Sequence, residues 1–173
     1  MHDFVAFLRG VMPRGKNAVK MADVRAVLAA NGFQDVRTWI QSGNIALQTD
    51  WDAAATAARI QALLRAHLQV DLPAIVKTPA QLRAIWAGNP FSGSGYDEKR
   101  VFYTLCSAPL SDPQGLSAQD YGEEQLAILP QAAYLYIPGD ASRSRLGNAF
   151  LENKLGQVLT TRNGNTLRKM MDF

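Results

Sequence analysis

Strand-like and helix-like hydrophobic patterns follow one another in a set order through the first 78 residues, and the same order then returns. "DFVAFL" (3–8) is a short apolar run ending in Arg9-Gly10, the pattern of a buried strand that leads into a loop. In "MADVRAVLAANGF", Met21, Val24, Val27 and Leu28 recur at helical spacing, and Gly32 supplies a stop. "DVRTWIQSGNIALQTD" reads as two strands joined at a Ser42-Gly43 turn. An alanine-rich helix follows, with Ile60, Leu63, Leu64 and Leu68 on one face, and "DLPAIVKT" closes the series as a strand.

"TPAQLRAIWAGNPF" then predicts a linking helix, with Thr78 as N-cap, Pro79 in first position, Gln81 completing a capping box and Gly88 ending it. Beyond it come "RVFYTLC" (strand), "DPQGLSAQDY" (short helix) and a strand pair around Pro130-Gln131. "RLGNAFLENKLG" (helix), "VLTTR" (strand) and "NTLRKMM" (a terminal helical turn) complete the chain. The repeat is one of element order, not of residues. It predicts an α+β protein of two tandem ferredoxin-like (βαββαβ) units with antiparallel sheets, spanning 1–78 and 79–173. The second unit carries the linking helix and a short C-terminal helix. In the first, segments 3–9, 35–41, 43–48 and 72–77 should form one sheet with 3–9 in its interior.

Composition bounds the function classes. Hydrophobic residues make up 47% and charged residues 19%, a globular balance. No apolar run approaches the roughly 20 residues of a membrane span, and the start is too charged for a signal peptide, so cytoplasm is the default expectation. Cys106 is the single cysteine, which leaves no intrachain disulfide or thiolate metal cluster, and its apolar strand makes it a buried inert thiol. His2 and His67 are not at ligand spacing, so neither metal nor cofactor is expected. Net charge is +3, but unevenly spread. Residues 79–140 hold 3 basic and 7 acidic side chains, whereas 141–173 hold 6 and 2. "RGVMPRGKNAVK" (9–20) has four cations and no acid.

The motifs "FLRG…GKN" (7–17), "MADVRAVLAANGFQDVRTWIQSGN" (21–44), "NPF" (89–91), "SRSRLGNAFLE" (142–152) and "TTRNGNT" (160–166) together resemble the domain-of-unknown-function 1697 family of small bacterial proteins. The resemblance implies two ferredoxin-like halves and no established activity, so no catalytic residue carries over. Two departures stand out. "VMPRG" replaces the family's usual glycine-rich "INVGG", and Gly164 stands where the family usually has an aromatic.

In a βαββαβ unit the loop after the first strand and the following hairpin share one end of the sheet. That end of the first unit gathers Arg9, Lys16, Asn17, Gln41, Ser42 and Asn44. The corresponding argument for the second unit gathers Arg143, Arg145, Asn148, Arg162, Asn163, Asn165 and Thr166 at one end. Each group sits by a helix start, where unpaired N–H groups, glycines and guanidinium forks suit an anion. The structural reading of the same residues is that Asn-Gly and Ser-Gly turn the chain, Ser144 caps one helix and Asn165 or Thr166 caps the last. A triphosphate loop is disfavoured, because Gly15-Lys16 lacks the required spacing and Asn17 replaces its hydroxyl. A base-stacking RNA platform is disfavoured in the first unit, where "NIALQ" has no aromatic. Phe102, Tyr103, Tyr134 and Tyr136 read as sheet packing.

The resulting expectation is a cytosolic, metal-independent protein that holds a phosphorylated or other anionic small molecule on basic loops of both units, with Arg162→Ala weakening it. Two alternatives stay open. One is a small enzyme acting on an anionic metabolite through Arg145 or Arg162; the other is a nucleic-acid-binding module.

Overall fold

The computed structural model describes residues 1–173. The chain divides into two compact units, Met1–Leu82 with Asp172–Phe173, and Arg83–Met171. No helix is long and apolar enough to cross a membrane.

The first unit runs β1 (His2–Leu8), α1 (Met21–Ala30), β2 (Gln34–Trp39), β3 (Asn44–Thr49), α2 (Ala53–Leu68) and β4 (Ala74–Lys77). Its sheet has the order β2-β3-β1-β4, antiparallel throughout, with β1 in the interior as the sequence pattern requires. Register places Phe4 opposite Leu47 and Ala6 opposite both Ile45 and Val76. Period-2 alternation therefore puts Phe4, Ala6 and Leu8 on one face, where they form a core with Val24, Leu28, Ile60 and Leu64 from the two helices. The α2 start is fixed by Asp52, whose side chain accepts from the Ala55 amide at 2.8 Å.

Ile40, in the turn between β2 and β3, has φ of 50° and is 54% exposed. A β-branched residue pays about 1–2 kcal/mol for this left-handed backbone. Its exposure means that little packing is lost on replacement. Ile40→Asn is expected to raise stability by about 1 kcal/mol, read as an upward shift of the urea midpoint without change in slope.

The capping box at the start of α3 (Pro79–Ala87) forms as expected: the Gln81 amide donates to Thr78 Oγ1 at 3.1 Å and the Thr78 amide to Gln81 Oε1 at 2.9 Å. The second unit then runs β5 (Val101–Cys106), β6 (Gln125–Leu129), β7 (Ala132–Tyr136), α4 (Asn148–Leu155), β8 (Leu159–Asn163) and α5 (Gly164–Met171). Its antiparallel sheet has the order β6-β7-β5-β8. Cys106, Leu126, Leu135 and Leu159 form its core with Leu110, Leu116 and Leu151.

Three expectations fail here. The helix expected over 112–121 is a single 3-10 turn, Leu116–Ala118. The Asp112 carboxylate takes the amides of Leu116 at 2.7 Å and Ser117 at 2.9 Å, and that local bonding competes with a helical ladder. Ser144 does not cap α4, which starts after Gly147; its hydroxyl accepts from the Leu146 amide and donates to Glu124. The cap of α5 is Asn163, not Asn165 or Thr166, with Asn163 Oδ1 accepting from the Thr166 amide at 2.9 Å.

Candidate functional site

In the first unit, the end of β1, the β2–β3 hairpin and the start of β4 share one end of the sheet, since Phe7 lies opposite Asn44 and Leu8 opposite Ala74. Most of the polar residues expected to face a ligand there instead hold the loops. Gln41 Nε2 donates to the Val19 carbonyl, and Gln41 Oε1 accepts from the Met21 amide at the head of α1. Asn17 Oδ1 accepts from the Asp71 amide at 3.1 Å. Asn44 is fully buried and donates to the Trp39 carbonyl and to Ser42 Oγ. The Arg9 amide bonds to the Pro73 carbonyl. Hydrogen bonds from Gln61 and Arg65 hold the Asp71 carboxyl below its ordinary range, and the charge of Lys16 adds to this.

In the second unit the expected cluster divides. Asn148 ties α4 to β8, donating to the Leu159 carbonyl at 2.8 Å and accepting from Thr161 Oγ1 at 3.0 Å. Alternation along β8 places Arg162 on the opposite face from Thr161, beside its cross-strand partner Tyr103. There its guanidinium donates to Thr160 Oγ1 at 2.6 Å and to the Thr161 carbonyl, and burial pulls its pKa down to about 10, so it stays charged at neutral pH. Arg145 lies over the Tyr121 ring at 5.3 Å, next to the β6 edge, while Arg143 pairs loosely with Asp140 at 3.7 Å and is almost fully exposed. Two strands separate β6 from β8, a span of roughly 14 Å at the usual strand spacing. Arg145 and Arg162 thus do not share one cleft of this unit.

The concave surface of the second unit lies elsewhere, on the sheet face away from α4. The last turn of α3 docks there: the Tyr134 hydroxyl donates to the Ile85 carbonyl at 2.7 Å, and Trp86 stacks on Tyr103 with centroids 5.5 Å apart and planes 13° apart. After Gly88, Asn89 Oδ1 accepts from the Phe91 amide at 2.9 Å and turns the chain. Phe91 and Tyr96 then pack on Tyr136, Tyr96 edge-on at 4.9 Å, and Tyr136 Oη accepts from the Asp97 amide. These contacts enclose a cavity of about 480 Å³, with Trp86, Asn89, Phe91, Tyr96, Glu98 and Tyr103 in its wall. That size falls within the ~300–1,000 Å³ of small-molecule sites.

A smaller notch of about 90 Å³ adjoins it, sharing Trp86 and Glu98 and adding Lys99, Asn163, Gly164, Asn165 and Arg168. A Cβ added at Gly164 would stand 3.6 Å from the Trp86 ring, so the missing side chain leaves this space open. Burial pushes the Tyr103 pKa up to about 12, with Tyr134 and Glu98 adding to the rise and the Asn89 carboxamide opposing it. The phenol is therefore neutral at physiological pH and acts as a hydrogen-bonding group. No group of three or more His, Cys, Asp or Glu side chains is placed to hold a metal ion.

Asn163 and Asn165 are the expected site residues that this notch retains. Trp86, Glu98, Lys99, Tyr103 and Arg168 were not expected. The sequence marks "NPF" as a motif and Gly88 as a helix stop, but the meeting of 86, 98–103 and 163–168 comes from the β5–β8 register, with Phe102 opposite Asn163.

The fold is similar to that of the conserved bacterial protein SP0830 from Streptococcus pneumoniae, with a TM-score of 0.72 at 20% identity, covering 98% of this chain and 96% of that one. The likeness concerns the fold alone. No curated protein matches the sequence. A family model described as "Protein of unknown function (DUF1697)" matches residues 1–134, a span that includes Trp86, Glu98 and Tyr103 and stops short of Asn163. The match takes in well over half of the 173 residues, and the chain belongs to the DUF1697 family.

Proposed function

We propose that this protein binds a small phosphorylated or otherwise anionic molecule, received by the cavity and notch of the second unit. The observation that carries the reading is that an aromatic-walled cavity adjoins a notch flanked by two cations, Lys99 and Arg168. Glu98 lines both spaces, and the larger one has no cation in its wall, so it is Lys99 and Arg168 that single out the notch for the anion. The strand orders also support a ferredoxin-like plan for each half, the second with its first crossover helix reduced to a turn. The polar atoms of Asn17, Gln41, Ser42, Asn44 and Asn148 hold their own units together and are outside this site. The cavity offers one carboxylate and a phenol with a pKa of about 12, which are binding groups rather than a matched acid and base.

Titration calorimetry of the full chain with glycerol phosphate tests this. Lys99→Ala and Arg168→Ala should each weaken binding by about 1.5 kcal/mol, roughly tenfold, the low end for a charged hydrogen bond because both side chains are exposed. Arg143→Ala, at an almost fully exposed side chain that lines neither space, should leave it unchanged. Absence of phosphate binding, or equal loss in Arg143→Ala, would overturn the assignment.

A further inference from the structure

We infer that the ligand is a mononucleotide: a planar nitrogen heterocycle against Trp86, its phosphate in the notch between Lys99 and Arg168. The inference rests on the anion-binding reading above and adds the identity of the non-anionic part. Three observations carry it. The first is the wall chemistry. Trp86 is only half buried although one face of its indole is covered by Tyr103, and the ring lines both spaces; Phe91 and Tyr96 supply further aromatic surface in the larger one. Flat aromatic walls favour a flat ligand ring over an aliphatic chain.

The second is polarity. The larger space holds a carboxylate (Glu98), a carboxamide (Asn89) and a phenol (Tyr103) that is 2% exposed and still reaches the cavity wall. A carboxylate accepts hydrogen bonds only, so it calls for N–H or O–H donors, which exocyclic amines and ribose hydroxyls provide. The third is the distribution of charge. Glu98 lines both spaces while Lys99 and Arg168 line only the notch, so one ligand would meet an acceptor for its donors and, at one end only, cations for an anion. A nucleoside phosphate has that polarity within one small molecule. A polynucleotide would instead need cations tracking its backbone, and the exposed Glu98 opposes a second phosphate.

Titrating the full chain with adenosine 5′-monophosphate, cytidine 5′-monophosphate and ribose 5-phosphate separates the two readings. At least one nucleotide is expected to bind about tenfold tighter than ribose 5-phosphate and to quench tryptophan fluorescence. Trp86→Leu should erase that advantage. Because Trp86→Leu could loosen the docking of α3, Trp86→Phe provides a second readout: it should retain the preference and abolish the quench. If ribose 5-phosphate binds as tightly as both nucleotides, or if Trp86→Phe leaves the quench intact, the nucleotide inference falls while the anion site stands. If none of the three binds, both fall.

Discussion

Gly43→Ala is expected to destabilise the protein by about 3 kcal/mol. Gly43 has φ of +85°, where an added side chain costs about 1–2 kcal/mol of backbone strain. The space is closed as well. An added Cβ would come 2.7 Å from Leu8 Cβ and 3.1 Å from Val11 Cγ2, closer than carbon atoms approach without displacement. Leu8 is not free to yield, because it is 1% exposed and its amide donates to the Gly43 carbonyl at 2.8 Å. Either the hairpin lifts from β1 or the core shifts, and overpacking of this kind costs about 1–3 kcal/mol. Gly15→Ala is the matched control: φ is +87° there, but nothing lies within 4 Å of the added Cβ. It should cost only the strain, about 1 kcal/mol. Urea unfolding of the pair reads the difference directly, and equal midpoints would mean that the close approach of hairpin and β1 carries no energy.

That hairpin was legible in the sequence because its signals are local. Ser42-Gly43 lies between two runs whose alternation can be counted, and every strand and helix of residues 1–78 follows from such patterns. In the second half the local signals compete with side-chain bonding. "DPQGLSAQDY" has helical residues, yet the Asp112 carboxylate captures the amides that a helix would use. "RNGNT" pointed to Asn165 or Thr166 as the cap of the last helix, but the place where β8 ends gives that role to Asn163.

The candidate site was less legible, for a different reason. Grouping Arg162 with Asn148 considered only that the exit of the "VLTTR" strand and the preceding loop share one end of the sheet, whereas alternation along β8 sends Thr161 and Arg162 to opposite faces. Tyr103 and Tyr134 read as packing, which is what most of their surface does; Tyr103 also forms part of a cavity wall. Trp86 looks like one more apolar residue on a linking helix until the helix is docked. Neither the register of β5 against β8 nor the docking of α3 is written in a period or a motif. Charge counts could locate a basic segment, but they could not say which two cations meet.

The docking of α3 yields the second large effect. Gly88 follows the last turn of that helix, and an added Cβ would stand 2.9 Å from both Tyr134 Oη and Gln131 Nε2. Gln131 is partly exposed and its flexible end can swing away; Tyr134 is fully buried and its hydroxyl is bonded to the Ile85 carbonyl. That bond satisfies a carbonyl in the last turn of α3, one of the acceptors a helix end leaves without an intrahelical partner. Gly88→Ala should therefore force the Tyr134 ring or the helix end to move, at about 2–3 kcal/mol. Tyr134→Phe removes the hydroxyl and leaves the Ile85 carbonyl short of a partner, at about 1–2 kcal/mol. The two costs share one atom, Tyr134 Oη. In the double variant the added methyl meets no hydroxyl, and the combined loss should fall below the sum of the single losses by at least 1 kcal/mol. A double-mutant cycle in urea measures that coupling. Strict additivity would show that Gly88 and Tyr134 do not touch, and with that contact would go the placement of Trp86 over Tyr103 on which the cavity depends.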